Sequence, residues 1–308
     1  MPDNASSKTP VGKSADNTPT PQRTSAGQRS DNPVSRTLPL PVTVAIPVRN
    51  EEANLARCLE RLSRFAEIVV IDSGSTDATR QIAEGFGARI VDFRWDGRYP
   101  KKRNWFLLND PPRQPWVLFL DADEFVDHRF CDALADMLPG TDAQGFWLTY
   151  RNVFLDRELR HGLPQRKLAL FRVGKALYER IEEDGWSGLD MEIHEHPIVE
   201  GKVDEIAVPI EHRDFKGLAH FLAKHRDYAQ WEARRHAALR RTPEAWSQFT
   251  GRQRFKYRHL AKWWYPWFYF FFTYGARRGF LDGAAGFHHA FYKLWYFQTI
   301  RLLIREAG

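Results

Sequence analysis

Between residues 42 and 120 short apolar runs alternate with amphipathic stretches, and this alternation constrains the fold more than any other feature of the chain. Val42-Thr43-Val44-Ala45-Ile46-Pro47 reads as a buried strand, with a helix beginning near Glu51. Glu67 to Asp72 reads as a second strand and Thr76 to Phe86 as a second helix. Arg89 to Asp92 is a third short strand, Lys102 to Leu108 a helix, and Trp116 to Leu120 a fourth strand. Strands that are apolar throughout must be covered on both faces, and strand–helix alternation supplies that cover. The expected fold class is therefore α/β, a mostly parallel sheet with helices on both faces. Ligands of such sheets bind beyond the carboxyl ends of the strands, so the residues that follow each run are the candidates for chemistry.

Asp72 ends the second run and opens Asp72-Ser73-Gly74-Ser75-Thr76-Asp77. A carboxylate at that place can accept hydrogen bonds from the base or ribose of a nucleoside, although an ordinary turn followed by a helix cap fits the same residues. Asp121-Ala122-Asp123 follows the fourth run directly. On an extended backbone residues i and i+2 face the same way, so both carboxylates could converge on Mg²⁺ or Mn²⁺ together with phosphate oxygens. An acidic loop in solvent is the competing reading. Lys101, Lys102 and Arg103 could neutralise a diphosphate, or could be a solvated charge run.

Beyond residue 140 the pattern is mixed, with strands expected near 145–152, 166–172 and 206–212. From Gly217 it turns helical, with a long helix from Phe221 to Arg241 and two aromatic, basic helical stretches over 260–306 separated by residues 279–283. Charge follows the same division. Residues 41–212 carry 22 basic and 30 acidic side chains, whereas residues 213–308 carry 18 basic and 6 acidic. An acidic middle suits a cation-using site, and a basic end suits an anionic surface. Residues 1–40 are rich in Ser, Thr, Asn, Pro and Gly and are expected to be a disordered tail. The division is thus 1–40 tail, 41–215 catalytic domain and 216–308 helical extension. Cys58 and Cys131 read as small buried apolar residues rather than as a disulfide or metal pair.

The segment Trp263-Trp264-Tyr265-Pro266-Trp267-Phe268-Tyr269-Phe270-Phe271-Phe272-Thr273-Tyr274 is flanked by basic residues and too short to span a bilayer. Aromatic rings bordered by cations favour the headgroup boundary, so a membrane surface is an expected partner. An aromatic core helix or a dimer interface would use the same residues, and the sequence leaves the oligomeric state open. The absence of an exported apolar leader in the first 40 residues makes a cytoplasmic, peripheral location on the inner face of the cytoplasmic membrane the expectation. A nucleic-acid partner is not expected, because it leaves the acidic strand ends unexplained.

Taken together, Val44 to Glu52, Ile71 to Asp77, Lys102-Arg103-Asn104 and Leu120 to Glu124 resemble, in order and spacing, the family 2 inverting glycosyltransferases of GT-A (Rossmann-like) fold over roughly residues 42–215. The resemblance implies that Pro47, Asn50, Glu51 and Asp72 line the pocket for a nucleotide-diphosphate sugar donor. Lys102 or Arg103 would face the diphosphate, and Asp121 and Asp123 would serve nucleotide and metal. Arg166 to Arg172, Ile193-His194-Glu195-His196 and Ile210-Glu211-His212 resemble the branch that builds lipopolysaccharide core. That branch implies a hexose such as glucose passing to a glycolipid or envelope glycan acceptor. Inversion needs a base, for which Glu195 is the candidate and Asp190 and Glu192 the competitors. His212 is a candidate third metal ligand, while Arg166 and Arg172 are candidates for phosphate contacts. Arg49 and Ser73 depart from the family pattern, and no processive Gln-x-x-Arg-Trp motif is present, which argues for single-sugar transfer. A polyprenyl-phosphate glycosyltransferase and a catalytically silent membrane-associated binding module are the alternatives.

Overall fold

The computed structural model describes residues 38–307 apart from 182, 184–187, 193–195, 214–216, 242–245 and 247–248. Among the described residues the parallel half of the sheet is built by β1 (Leu40–Val48), β2 (Phe65–Asp72), β3 (Arg89–Asp92) and β4 (Trp116–Phe119), in the order β3-β2-β1-β4. Between them run α1 (Glu52–Leu59), α2 (Thr79–Gly85) and α3 (Lys102–Asn109), with α4 (His128–Met137) beyond β4. Both faces of these strands are buried. Val42, Val44, Ile46 and Val48 pack with Leu55 and Cys58 of α1 and with Phe130 and Cys131 of α4. Ala45, Val69, Ile71, Val117 and Phe119 point the other way and pack with Phe106 of α3. Two-sided burial is the reason these strands are apolar throughout rather than alternating. Cys58 and Cys131 are free, buried and part of one core, as their surroundings in sequence imply.

The second half of the sheet is mixed. It holds β5 (Glu124–Phe125), β6 (Gly145–Phe154), β7 (Arg157–Leu159), β8 (Arg166–Arg172) and β11 (Val203–Arg213). The order continues from β4 through β8, β6 and β11 to β5, with β7 paired to β6. β8 runs antiparallel to both β4 and β6, and β11 runs parallel to β6. Six strands, β1 to β4 with β6 and β11, therefore share one direction. Only residues 120–123 join β4 to β5, which lies at the far end of the strand order. The sheet must curl to allow this, and the curl brings the end of β11 beside the turn after β4. There His212 stands in register with Glu124, and Arg213 N donates to Asp123 O at 2.9 Å. A separate ribbon pairs β9 (Ala176–Tyr178) with β10 (Pro197–Val199).

From Gly217 the chain is helical: α5 (Gly217–Leu239), α6 (Gly251–His259), α7 (Tyr265–Phe271), a π-helical turn over Phe272–Ala276, a short 3₁₀ turn over Gly279–Asp282 and α8 (Gly283–Glu306). Ala229, Ala233, Tyr257, Leu260, Tyr265, Tyr296, Phe297 and Ile300 give this extension a core of its own. It is nonetheless part of one compact unit with the sheet. Trp231 of α5 donates through Nε1 to Glu183 Oε1 at 2.8 Å, and the buried Lys101 pairs with the same carboxylate. The run Lys101-Lys102-Arg103 is thus not a solvated face. One boundary also moves: α2 begins at Thr79 rather than Thr76. The Asp77 carboxylate accepts from Thr79 N at 3.0 Å and from its hydroxyl, which holds residues 76–78 in a loop before the helix.

Candidate active site

Three strand ends supply the site. Those of β1 and β2 lie side by side, with Val48 in register with Asp72. The loops after them are stitched together: Asn50 N donates to Ser75 Oγ at 3.0 Å, Thr76 N to Asn50 Oδ1 at 2.8 Å, and Glu51 N to Thr79 Oγ1 at 2.7 Å. Asn50 adopts a left-handed backbone at φ 57°, a conformation Asn tolerates better than most residues, and this aims its side chain across the gap. Asp72 is buried, and its Oδ1 accepts from both Ser75 N at 3.0 Å and Ser75 Oγ at 2.6 Å. Pro47, paired with Ile71, belongs to the same edge. The four residues expected at a nucleoside pocket, Pro47, Asn50, Glu51 and Asp72, therefore occupy neighbouring strand ends.

Beyond β4 the geometry differs from the expectation. Glu124 N donates to Asp121 O at 2.9 Å, so residues 121–124 form a turn and not an extended strand end. The two aspartates consequently part company. Asp121 Oδ1 accepts from Arg103 at 2.6 Å and its Oδ2 from Lys167 at 3.0 Å. Burial works against its charge, but Lys167 and Arg103 prevail and hold the Asp121 carboxyl well below the usual range. Asp123 turns instead to His212, whose Nε2 lies 3.6 Å from Asp123 Oδ2. Burial likewise opposes the Asp123 charge, yet His212 lowers its pKa. Burial opposes the imidazolium in turn, and Asp123 raises the pKa of His212. The other ring nitrogen, Nδ1, lies 3.1 Å from Asn152 Oδ1.

A buried polar layer backs this turn. Glu124 accepts from the Tyr150 hydroxyl at 2.8 Å and from Lys167 at 3.2 Å, and its Oε2 takes Asp121 N at 3.0 Å. Burial, with Asp121 and Asp123 close by, pushes the Glu124 carboxyl up despite Lys167. Lys102 and Arg103 are 2% and 3% exposed. Lys102 Nζ donates to Val48 O at 3.1 Å and pairs with Asp190 at 3.3 Å, and burial lowers its pKa. Glu192 caps α3, accepting from Arg103 N at 2.9 Å and Asn104 N at 3.0 Å. The two carboxylates that compete with Glu195 are thus already engaged. Glu195 and His194 lie outside the described residues. Arg166 and Arg172 stack on Trp147 and Trp116, each guanidinium within 4.7 Å of a ring centre.

Lys167, Glu124, Tyr150 and Asn152 are members of this constellation that the sequence did not single out. Glu124 opens β5 at the end of the β4 turn itself, whereas Tyr150 and Asn152 come from β6 and Lys167 from β8, and only the curled sheet brings those three to the turn; their strand positions alone carry no signal of it. Among the described residues no three His, Cys, Asp or Glu side chains gather as a metal cage. The donor set offered is the facing pair Asp123 Oδ2 and His212 Nε2. One carboxylate and one imidazole at this spacing fit a divalent ion whose remaining positions are filled by phosphate oxygens.

Residues 43–189 match the model of glycosyl transferase family 2. The chain is 33% identical over 175 residues to the lipopolysaccharide core biosynthesis glycosyltransferase LpsC of Rhizobium meliloti, covering 53% of this chain and 59% of that one. It is 35% identical over 123 residues to the glycosyltransferase AglJ of Haloferax volcanii, covering 33% of this chain and 40% of the relative. The chain thus spans about half the length of these curated relatives. A solved structure of glucosyl-3-phosphoglycerate synthase from Mycobacterium tuberculosis with Mn²⁺, UDP and glucosyl-3-phosphoglycerate aligns at 25% identity and a TM-score of 0.28, over 36% of this chain and 44% of that one. The strand-end site, from Asp72 to the turn at Asp121–Glu124, lies within residues 43–189, the part of this chain that matches the glycosyl transferase family 2 model.

Proposed function

We propose that the chain transfers a sugar, a hexose such as glucose, with inversion from a nucleotide-diphosphate donor to a glycolipid or envelope glycan such as lipopolysaccharide core. The observation that carries this reading is the Asp123–His212 pair at the carboxyl edge of the sheet, beside the stitched loops that hold Asp72. Asp72 would receive the nucleoside, with Oδ1 committed to Ser75 and Oδ2 turned to the base or ribose. Pro47, Asn50 and Glu51 would form the wall of that pocket. Asp123 and His212 would hold Mg²⁺ or Mn²⁺, which when bound supplies the positive charge that stabilises the departing nucleoside diphosphate.

Each remaining part falls to the protein. Asp121 clamps Arg103 and Lys167, and these cations, with Lys102 behind them, would contact the donor phosphates. Asn152 Oδ1 lies 3.1 Å from His212 Nδ1 and would accept from it, so that Nε2 would be the ring nitrogen free to hold the ion. Glu195 would take the proton of the acceptor hydroxyl. The engagement of Asp190 with Lys102 and of Glu192 with the α3 N-terminus supports Glu195 over both. Replacing Glu195 by Gln tests the assignment: transfer should be abolished while UDP still binds, and near-normal turnover would remove Glu195 from the role.

The extension is proposed to hold the enzyme against the inner face of the cytoplasmic membrane. Trp263 and Phe271 are 69% and 64% exposed, and Trp267, Phe268, Phe280, Phe287 and Phe291 also present apolar surface. The basic charge of residues 213–308 supports an anionic lipid surface as their partner. No helix among the described residues is long and apolar enough to cross a membrane. Flotation with vesicles containing phosphatidylglycerol tests the anchor, and a protein that never floats would contradict it.

A further inference from the structure

One cavity of about 230 Å³ opens where the β6–β7 hairpin and the loop after it meet the turn before α8. We infer that it seats an anionic group of the acceptor, a phosphate or a carboxylate; this rests on the glycosyl-transfer reading and names the chemistry its acceptor must carry. The cavity adjoins the proposed metal pair through two of its own walls. Asn152 lines it and holds His212 Nδ1 at 3.1 Å, and Tyr150 lines it with its ring edge-on to His212 at 5.8 Å. A group bound here lies one side chain away from the donor site.

The charge of the lining selects the ligand. Arg160 and Arg277 line it as cations beside the rings of His161 and His289, no carboxylate lines it among the described residues, and Arg160 also pairs with Glu158 at 3.7 Å. Asp282, an acid behind the lining, is spent on the wall itself: it accepts from Arg160 N at 3.2 Å, His161 N at 2.9 Å and His161 Nδ1 at 2.9 Å. Gly162, at φ +90°, donates its N–H to Arg277 O at 2.9 Å and closes the staple between the two loops. Arg160 and Arg277 are thereby held on one rim by backbone contacts and not by chance proximity. Burial together with Lys293 depresses the His289 pKa to about 3, so its ring is a neutral hydrogen-bonding wall. The π-helical turn over Phe272–Ala276 immediately precedes Arg277, and such widened turns recur at functional sites. The volume is below the roughly 300–1,000 Å³ of drug-sized sites, which suits a single charged headgroup.

The test uses the full chain saturated with Mn²⁺ and UDP, and titrates glucose 6-phosphate and glucose by calorimetry. The wild type should bind glucose 6-phosphate about 10-fold or more tightly than glucose, as two charge-assisted contacts warrant. The double variant Arg160→Ala, Arg277→Ala should lose that preference, and Arg160→Lys, Arg277→Lys should keep part of it, with UDP binding unchanged in both. Vesicles of phosphatidic acid in phosphatidylcholine, added as competitor, separate the sources: displacement of glucose 6-phosphate assigns the site to a lipid phosphate, and no displacement assigns it to a soluble phosphorylated sugar. No preference in the wild type, or a preference that survives the double alanine variant, overturns the inference. Loss of UDP binding by the wild type would instead strike the glycosyl-transfer reading and leaves a distinct signature.

Discussion

The two halves of the sheet solve the burial of charge in opposite ways. In the parallel half the loops after β1 and β2 are joined by uncharged donors and acceptors of Asn50, Glu51, Ser75, Thr76 and Thr79, 25 to 28 residues apart and brought together by the pairing of β1 with β2. In the mixed half the end of β4 is met by Lys167 from β8, Tyr150 and Asn152 from β6 and His212 from β11, and every contact depends on the curl. In the proposed reading the first arrangement is a preformed cradle for the nucleoside. The second is a network of buried ions in which the loss of one member strands the others, because an unpaired buried charge costs far more than the pair contributes.

The largest effect expected of a single change is on chemistry. Glu195→Gln should reduce transfer by about 10²- to 10⁴-fold, the usual contribution of a general base, with UDP affinity unaltered in calorimetry. Next comes the ion network. Asp121→Asn leaves the Arg103 guanidinium, whose side chain is 4% exposed, without its carboxylate and should cost about 2–3 kcal/mol in urea denaturation, at the low end for a broken buried pair because Asp121 is itself partly exposed. Asp72→Asn, whose amide oxygen can still accept from Ser75, should be nearly silent in the same measurement. Equal losses for the two variants would erase the contrast. Glu192→Ala removes the cap of α3 and should cost about 1–2 kcal/mol.

The smallest effect concerns pH in the extension. Burial, aided by Lys256 and Lys224, lowers Lys293 from its ordinary 10.5 to about 8. Between those values the unfolded chain carries the proton and the folded one does not, so folding gains stability as pH rises from about 8 to 10. Lys293→Met should flatten that rise by on the order of 1 kcal/mol relative to wild type when urea midpoints are compared at the two pH values.

What the sequence made legible follows the same division. Where strands are apolar on both faces and their ends carry Asp72 or Asp121, the periodicity alone located β1 to β4 and the edge where the candidate residues lie. Where a strand pattern is mixed, as in Tyr150 and Asn152 on β6, the partner that gives a side chain its meaning is 60 residues away for Asn152 and His212. No local pattern records it. The reading of Asp121-Ala122-Asp123 as an extended strand end missed the turn closed by Glu124 because i and i+2 alternation holds only while the strand continues. The lysine run before α3 looked solvated because its partners, Glu183, Asp190 and Glu192, lie more than 80 residues further on. The aromatic stretch divides: Tyr265 packs in the core, as the core-helix reading expected, while Trp263 and Phe271 stay exposed.

The most direct test of the central claim is calorimetric titration of UDP into wild-type protein and into His212→Ala, each with Mn²⁺ and with chelator. UDP binding to the wild type should weaken about 10-fold or more on chelation, as the loss of an ion bridging protein and phosphates requires, while the variant binds weakly in both conditions. A wild-type affinity unchanged by the chelator would contradict a divalent ion held between Asp123 and His212.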